Sequence, residues 1–369
     1  MVIGPRTSPA RTVGPPDRVP VVAVTGYLGA GKTSLLNHLL RRPGARLGVV
    51  VNDFGELNVD AALVAGQVDE AAAISGGCLC CLPDAGGLDD ALERLAQPRL
   101  RLDAIIVEAS GAAEPLALAR LIRFSGVERV RPGGVIEVVD AVAHADTVDV
   151  RPEPPARYAA ATLVVVGKTD LLPAGERDGV VDRIRARVRE RNPVAPIVVA
   201  RRGAVDPALV FDAASDSDPV DELPIARLIR EAASGEGEGR EHGGDHAGHG
   251  HGHDHVAARA ASVRLAGPVS PSELVDLLED PPPGAYRLKG RVRVRGPRAE
   301  RGYVVNVVGR SVNVARLTPP PPTGELVAIG VDLDLDAARA RLAAVAEATA
   351  ERPDAGGLRR LSRHRRLSD

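Results

Sequence analysis

The feature that most constrains this chain is the run Gly26-Tyr27-Leu28-Gly29-Ala30-Gly31-Lys32-Thr33, set between the apolar stretch Val21 to Thr25 and the helically spaced Ser34 to Leu40. It matches G-x-x-x-x-G-K-[ST], and a buried strand before it with a helix after it is the context in which such a loop cradles phosphate. Its glycines let successive backbone N–H groups converge on phosphate oxygens, and the helix opening near Lys32 adds the positive end of its dipole. Lys32 is expected to reach the β- and γ-phosphates and Thr33 to ligate Mg²⁺. Gly26, Gly29, Ala30, Gly31, Lys32, Thr33 and Ser34 are therefore the candidate nucleotide-binding residues, and Lys32 and Thr33 are also candidates for catalysis.

A phosphate loop commits the surrounding chain to an α/β architecture, and the pattern from Val19 onward agrees. Leu47 to Val51, Ala104 to Val107, Val135 to Val139, Leu163 to Val166 and Ile197 to Val199 read as strands. Leu88 to Leu95, Pro115 to Ile122, Asp178 to Arg191 and Leu223 to Ala233 have helical spacing. Such alternation predicts a mostly parallel sheet with helices on both faces and nucleotide at the carboxyl ends of the strands. Residues 1–18, rich in Pro, Gly and Arg, predict a disordered arm before a P-loop domain spanning 19–234. Residues 235–257 have almost no apolar side chains and read as a linker. Residues 258–352 predict a small C-terminal α+β domain: a strand at Ser262 to Ala266, a helix opened by the capping box Ser270-Pro271-Ser272-Glu273, further strands at Tyr286 to Val294, Tyr303 to Val308, Ser311 to Ala315 and Leu326 to Val331, and a last helix from Asp336 to Ala350. Residues 353–369 read as a solvated basic tail.

Three stretches narrow the nucleotide. Lys168-Thr169-Asp170 directly follows a buried strand, where a carboxylate accepts from the N1 and N2 hydrogens of guanine; adenine offers no such pair of donors. Lys168 and Asp170 are thus candidate base-binding residues, although Gly167 stands where GTPases commonly carry Asn. Glu108-Ala109-Ser110-Gly111 ends another strand: Glu108, a third candidate for catalysis, is placed to hold the Mg²⁺ hydration shell, and the Gly111 N–H to contact the γ-phosphate. Asn52-Asp53-Phe54-Gly55-Glu56 falls where a loop sensing the γ-phosphate would lie; its acids Asp53 and Glu56 either face metal or are solvated.

All three cysteines of the chain lie in Cys78-Leu79-Cys80-Cys81. That excludes a disulfide framework and favours a metal site with an exchangeable position, because adjacent Cys80 and Cys81 cannot easily close a tetrahedral site. Thiolates select Zn²⁺ or Cu⁺ and accept Co²⁺. Six of the nine histidines, His242, His246, His249, His251, His253 and His255, lie in the linker, where imidazoles on a polar tract can collect Zn²⁺, Co²⁺ or Ni²⁺. With 369 residues there is room for two cores, and with aromatics at 2% these must be built from Val, Leu, Ile and Ala. A net charge of −2 gives no general attraction to nucleic acid or membrane. No apolar run of spanning length and no signal-peptide core is present in the sequence, so a soluble cytoplasmic protein is expected.

Taken together, Gly26 to Thr33, Asn52 to Glu56, Gly77 to Cys81, the Glu108-x-Ser110-Gly111 segment with Pro115, and Lys168-x-Asp170 closely resemble the CobW-type GTPases of the SIMIBI class, over roughly residues 19–350. The resemblance implies a metal-binding GTPase that acts as a metallochaperone, hydrolysing GTP to GDP and phosphate and handing Zn²⁺ or Co²⁺ to a client metalloprotein or metal-inserting pathway. Two positions depart from the family pattern: Asp53 stands where many members have Glu, and Gly167 replaces Asn. An open cysteine site completed by a second chain would give a metal-dependent homodimer. Two other readings fit the same motifs: a GTP-regulated metal buffer or sensor, and a P-loop ATPase or kinase with an incidental cysteine cluster.

Overall fold

The computed structural model describes residues 18–41, 46–51, 71–73, 86–111, 113–211, 258–296, 299–348 and 354–368. The N-terminal arm up to residue 17, the helix expected at Leu223 to Ala233 and the histidine-rich linker lie outside the described residues.

A seven-stranded, wholly parallel sheet forms the first unit. Its strands are β1 (Val19–Gly26), β2 (Leu47–Val51), β3 (Ala71–Ala73), β4 (Ala104–Glu108), β5 (Val130–Asp140), β6 (Leu163–Gly167) and β7 (Ile197–Val199), in the order β3-β2-β4-β1-β5-β6-β7. The helices α1 (Lys32–Leu40), α2 (Gly86–Leu95), α3 (Pro115–Arg123), α4 (His144–Thr147) and α5 (Arg177–Arg191) fall between them. The strands read as continuous Val/Ile runs because both faces are covered. Val22, Val24 and Ile106 pack with Leu35, Leu36 and Leu39 of α1, whereas Val21, Ala23, Ile105 and Val107 pack with Leu88 and Leu92 of α2 and Leu118 and Ile122 of α3. Register aligns Val24 and Val51 with Glu108, Gly26 with Val138 and Asp140 with Gly167, so the loops that follow these residues gather at one edge.

Two details of this sheet differ from the sequence expectation. Strand β5 begins at Val130 rather than Val135, because the Pro132-Gly133-Gly134 segment is absorbed as a bulge: Pro132 pairs with Val21, Gly134 with Val22, and Gly133 has no opposite. Strand β3 consists of three alanines, a composition without β signal, and exists through its pairing with β2.

The second unit is an antiparallel sheet of β8 (Arg259–Leu265), β9 (Arg287–Arg295), β10 (Glu300–Val308), β11 (Ser311–Leu317) and β12 (Gly324–Gly330), in the order β11-β10-β9-β12-β8. Helices α6 (Pro271–Glu279), α7 (Leu335–Glu347) and α8 (Ala355–Ser368) cover one face, burying Leu274, Leu342, Val345 and Leu361 against Leu288, Val292 and Leu326. The fold is thus α/β with a P-loop sheet, plus a separate smaller α+β domain.

Helix α8 corrects the reading of residues 353–369 as a solvated tail. Leu361 is buried, Leu358 packs beside it, and the Arg360 guanidinium reaches Asp276 Oδ1 at 2.7 Å and Glu279 Oε2 at 2.5 Å. His364 Nε2 lies 2.7 Å from Glu279 Oε1. Hydrogen bonds from His364 and Arg360 hold the Glu279 carboxyl below its ordinary value. Six basic residues masked an apolar stripe of only two leucines one turn apart. The capping box is also corrected: Ser270 occupies the N-cap of α6, but its side chain makes no capping bond. Asp354, just before α8, instead accepts from the Ser272 hydroxyl and backbone N–H.

The two units meet where Tyr286, Val308 and Val331 enter the core formed around α1. The Tyr286 hydroxyl lies 3.2 Å from Thr162 Oγ1, and the Ala258 N–H donates to Asp206 Oδ2 at 2.7 Å. No helix among the described residues is long and apolar enough to cross a membrane.

Candidate nucleotide site

The site is assembled where β1 runs out. Gly29 and Gly31 have φ of +76° and +102°, and an added Cβ at either would meet nothing within 4 Å. Backbone conformation therefore selects glycine here, not space. The turn closes with Ala30 N–H donating to Tyr27 O at 3.0 Å, and α1 begins at Lys32 with Gly31 as its N-cap. Lys32 is buried and its ammonium donates to the Gly26 carbonyl at 3.1 Å and to Tyr27 O at 3.4 Å, so the cation is held inside the loop it serves. Ser34 is exposed in the first turn of α1.

Thr33 and Glu108 are brought together across 75 positions: the Thr33 hydroxyl donates to Glu108 Oε1 at 3.1 Å. A hydroxyl and a carboxylate side by side at the end of a phosphate loop form an oxygen-only donor set, which fits Mg²⁺. Gly111 is pressed against the loop as well, since a Cβ there would lie 2.6 Å from Leu28 N and 2.7 Å from Leu28 Cα. Lys168 adopts φ +59° immediately after β6, and its ammonium lies 2.7 Å from Asp140 Oδ2. Asp170 is exposed in the 3-10 turn Thr169–Leu171. Gly167 has room for a Cβ, whose nearest neighbours would be Ala30 O at 3.8 Å and Val139 O at 3.9 Å.

Beneath the loop lies a polar network that sequence reading missed. Thr25, the last residue before Gly26, donates to Glu137 Oε2 at 2.6 Å and to Ile136 O at 3.1 Å, and Arg157 pairs with the other oxygen of Glu137. Burial pushes the Glu137 carboxyl above its ordinary range, opposed by Arg157, Thr25 and Lys32. The available signal was a charged residue inside the apolar run Val135-Ile136-Glu137-Val138-Val139. Asp140 was missed too, although it ends β5 as Glu108 ends β4.

The other predicted site residues, Asp53, Glu56, Cys78, Cys80, Cys81, His242, His246, His249, His251, His253 and His255, lie outside the described residues. Among the described residues, no group of three or more His, Cys, Asp or Glu side chains is placed to hold a metal.

A parallel sheet with a glycine-rich turn onto a helix, a buried lysine inside that turn, and a Thr–carboxylate pair beside it define a P-loop nucleotide-binding protein. The chain belongs to the CobW family. The model of the CobW/HypB/UreG nucleotide-binding domain matches residues 20–198, and that of the cobalamin synthesis protein cobW C-terminal domain matches residues 258–346, together well over half of the chain. The zinc chaperone YjiA of Escherichia coli is 32% identical over 202 residues, covering 53% of this chain and 61% of that protein. The zinc chaperone CobW of a Sinorhizobium species is 31% identical over 224 residues, covering 53% and 62%. These matches thus span about three fifths of each relative. The crystal structure of Zn(II)-bound YjiA GTPase from E. coli aligns over 89% of this chain and 99% of that one at 22% identity, with a TM-score of 0.40, too low to add to the sequence match.

Proposed function

We propose that this protein is a GTP-dependent metal chaperone that loads Zn²⁺ at Cys78, Cys80 and Cys81 and releases it to a client when GTP is hydrolysed to GDP and phosphate. The observation that carries the reading is the register of the β3 edge. Ala73, the last residue of β3, is level with Val51, and Val51 with Glu108 and Val24, so the chain leaves β3 at the edge where the phosphate loop lies. Cys78 comes five residues later in the sequence. Five residues reach at most about 17 Å, and three strand spacings from β3 to β1 amount to roughly 14 Å. Thiolates on this segment are therefore within reach of the loops that surround a γ-phosphate. Zinc is favoured over cobalt by the two relatives, both zinc chaperones.

In this reading Lys32 leaves the Gly26 and Tyr27 carbonyls to pair with the β- and γ-phosphate oxygens, while Thr33 and Glu108 would hold Mg²⁺, which would supply charge neutralisation on the triphosphate. The Gly111 N–H donates to the γ-phosphate, which holds the segment after Glu108 where it lies, against Leu28. Asp170 accepts from the guanine N1 and N2 hydrogens. Loss of the γ-phosphate releases the Gly111 segment and, with it, the geometry of the thiolates. Coupling of this kind is reciprocal: the factor by which GTP tightens zinc is the factor by which zinc tightens GTP. A zinc competition titration with a non-hydrolysable GTP analogue, with GDP and without nucleotide tests the cycle. Tighter zinc in the triphosphate state is expected, and equal zinc affinity in all three would refute it.

A further inference from the structure

Asp140 stands at the end of β5 and has no role in the proposed function, yet it joins the turn after β5 to the base-recognition loop after β6. Its Oδ2 lies 2.7 Å from the Lys168 ammonium, and its Oδ1 accepts from the Val142 and Ala143 N–H groups at 2.9 and 3.3 Å. The second pair of bonds orients the carboxylate in its turn and so sets the point to which Lys168 is tied. Lys168 is constrained at its other end as well, by a left-handed backbone with φ +59°. Two residues on, the Asp170 carboxylate makes no hydrogen bond or ion pair among the described residues, although a lysine on the same short turn is its nearest natural partner in sequence. At Gly167 there is no side chain to hold either of them.

We infer that Asp140 is a positioning residue for guanine selection: by holding the Lys168 ammonium it keeps that cation off Asp170 and leaves the Asp170 carboxylate free to accept from the base edge. Without the tether, Lys168 and Asp170 pair with each other, and the base must break that pair before it is read. The inference rests on the guanine reading of Lys168 and Asp170, and the phosphate loop, which every nucleotide uses alike, is untouched by it.

The test is the binding of GDP and ADP to the full-length protein carrying Asp140→Asn, Lys168→Met or both. Asparagine retains an oxygen for the Val142 and Ala143 N–H groups and loses only the charge facing Lys168. Asp140→Asn is expected to weaken GDP by roughly tenfold, the scale of one charge-assisted hydrogen bond, and to leave ADP unchanged. Asp140→Glu should restore GDP affinity. In Lys168→Met the tether has nothing to hold, so adding Asp140→Asn should cause no further loss. An equal loss for GDP and ADP, or additive losses in the double variant, would overturn the role given to Asp140. Wild-type protein that binds ADP as tightly as GDP would instead remove the guanine reading itself, an outcome visible before any variant is made.

Discussion

Replacing Gly111 by alanine adds one carbon at the tightest contact between the two loops. That carbon would lie 2.6 Å from Leu28 N and 2.7 Å from Leu28 Cα, both backbone atoms, where ordinary contact starts near 3.4 Å. The segment after Glu108 and the phosphate loop must therefore part by roughly 0.8 Å, and overpacking of this kind costs about 1–3 kcal/mol. Backbone conformation is not the obstacle, since Gly111 does not have positive φ. The penalty falls on the packed arrangement of Gly111 on Leu28, which a γ-phosphate would hold in place through the Gly111 N–H. A non-hydrolysable GTP analogue should then bind about 5–150-fold more weakly. GDP, which leaves the segment free to withdraw, should be nearly unaffected. Calorimetric titration of both nucleotides on wild-type and Gly111→Ala protein reads this directly, and the effect of the triphosphate on zinc affinity should shrink in parallel. Equal weakening of GDP and the triphosphate analogue, or no weakening of either, would refute the reasoning.

Gly167→Asn should be accepted without loss of melting temperature, because the nearest atoms to a new Cβ are 3.8 and 3.9 Å away; its amide can donate to Ala30 O, so GDP affinity should rise, as read by fluorescence titration. Arg287 is 1% exposed, and among the described residues its Nη1 makes only a 3.4 Å bond to Ala208 O while its Nε and Nη2 have no hydrogen-bond partner. Arg287→Met should accordingly stabilise the protein by about 1–4 kcal/mol in urea denaturation, whereas a loss of comparable size would show that the guanidinium is better compensated than its geometry indicates. Burial holds His144, 2.6 Å from the Tyr158 hydroxyl, below its ordinary value of 6.5 despite the opposing charge of Asp149. The unfolded chain takes up that proton first, so this contribution to stability is intact above pH 6.5 and declines as pH falls toward the folded value. Stability measured against pH should flatten over that interval in His144→Gln, and an unchanged slope would assign the acid sensitivity elsewhere.

How far the sequence could be read depended on whether a signal was local. Gly26 to Thr33 was legible because its chemistry is written in consecutive residues, and the strands around it because burial on both faces demands uninterrupted Val and Ile. The Asp140–Lys168 pair and the Thr25–Glu137–Arg157 network join residues on different strands and loops, and no single window of sequence contains both partners. Helix α8 was misread for a related reason. Its arginines report solvent only until Asp276 and Glu279 are placed beside Arg360 and His364.

The amino-acid sequence alone determined the class of fold, the phosphate loop and the residues expected to face nucleotide, since a glycine-rich turn between strand and helix has one well-matched ligand chemistry. Tertiary structure decided which side chains cooperate. It set Thr33 against Glu108, brought Gly111 onto Leu28, and drew Lys168 to Asp140 rather than to Asp170. Parallel pairing is the physical cause: strands far apart in the chain end at a common edge, and loops become neighbours there through register, which no local pattern encodes.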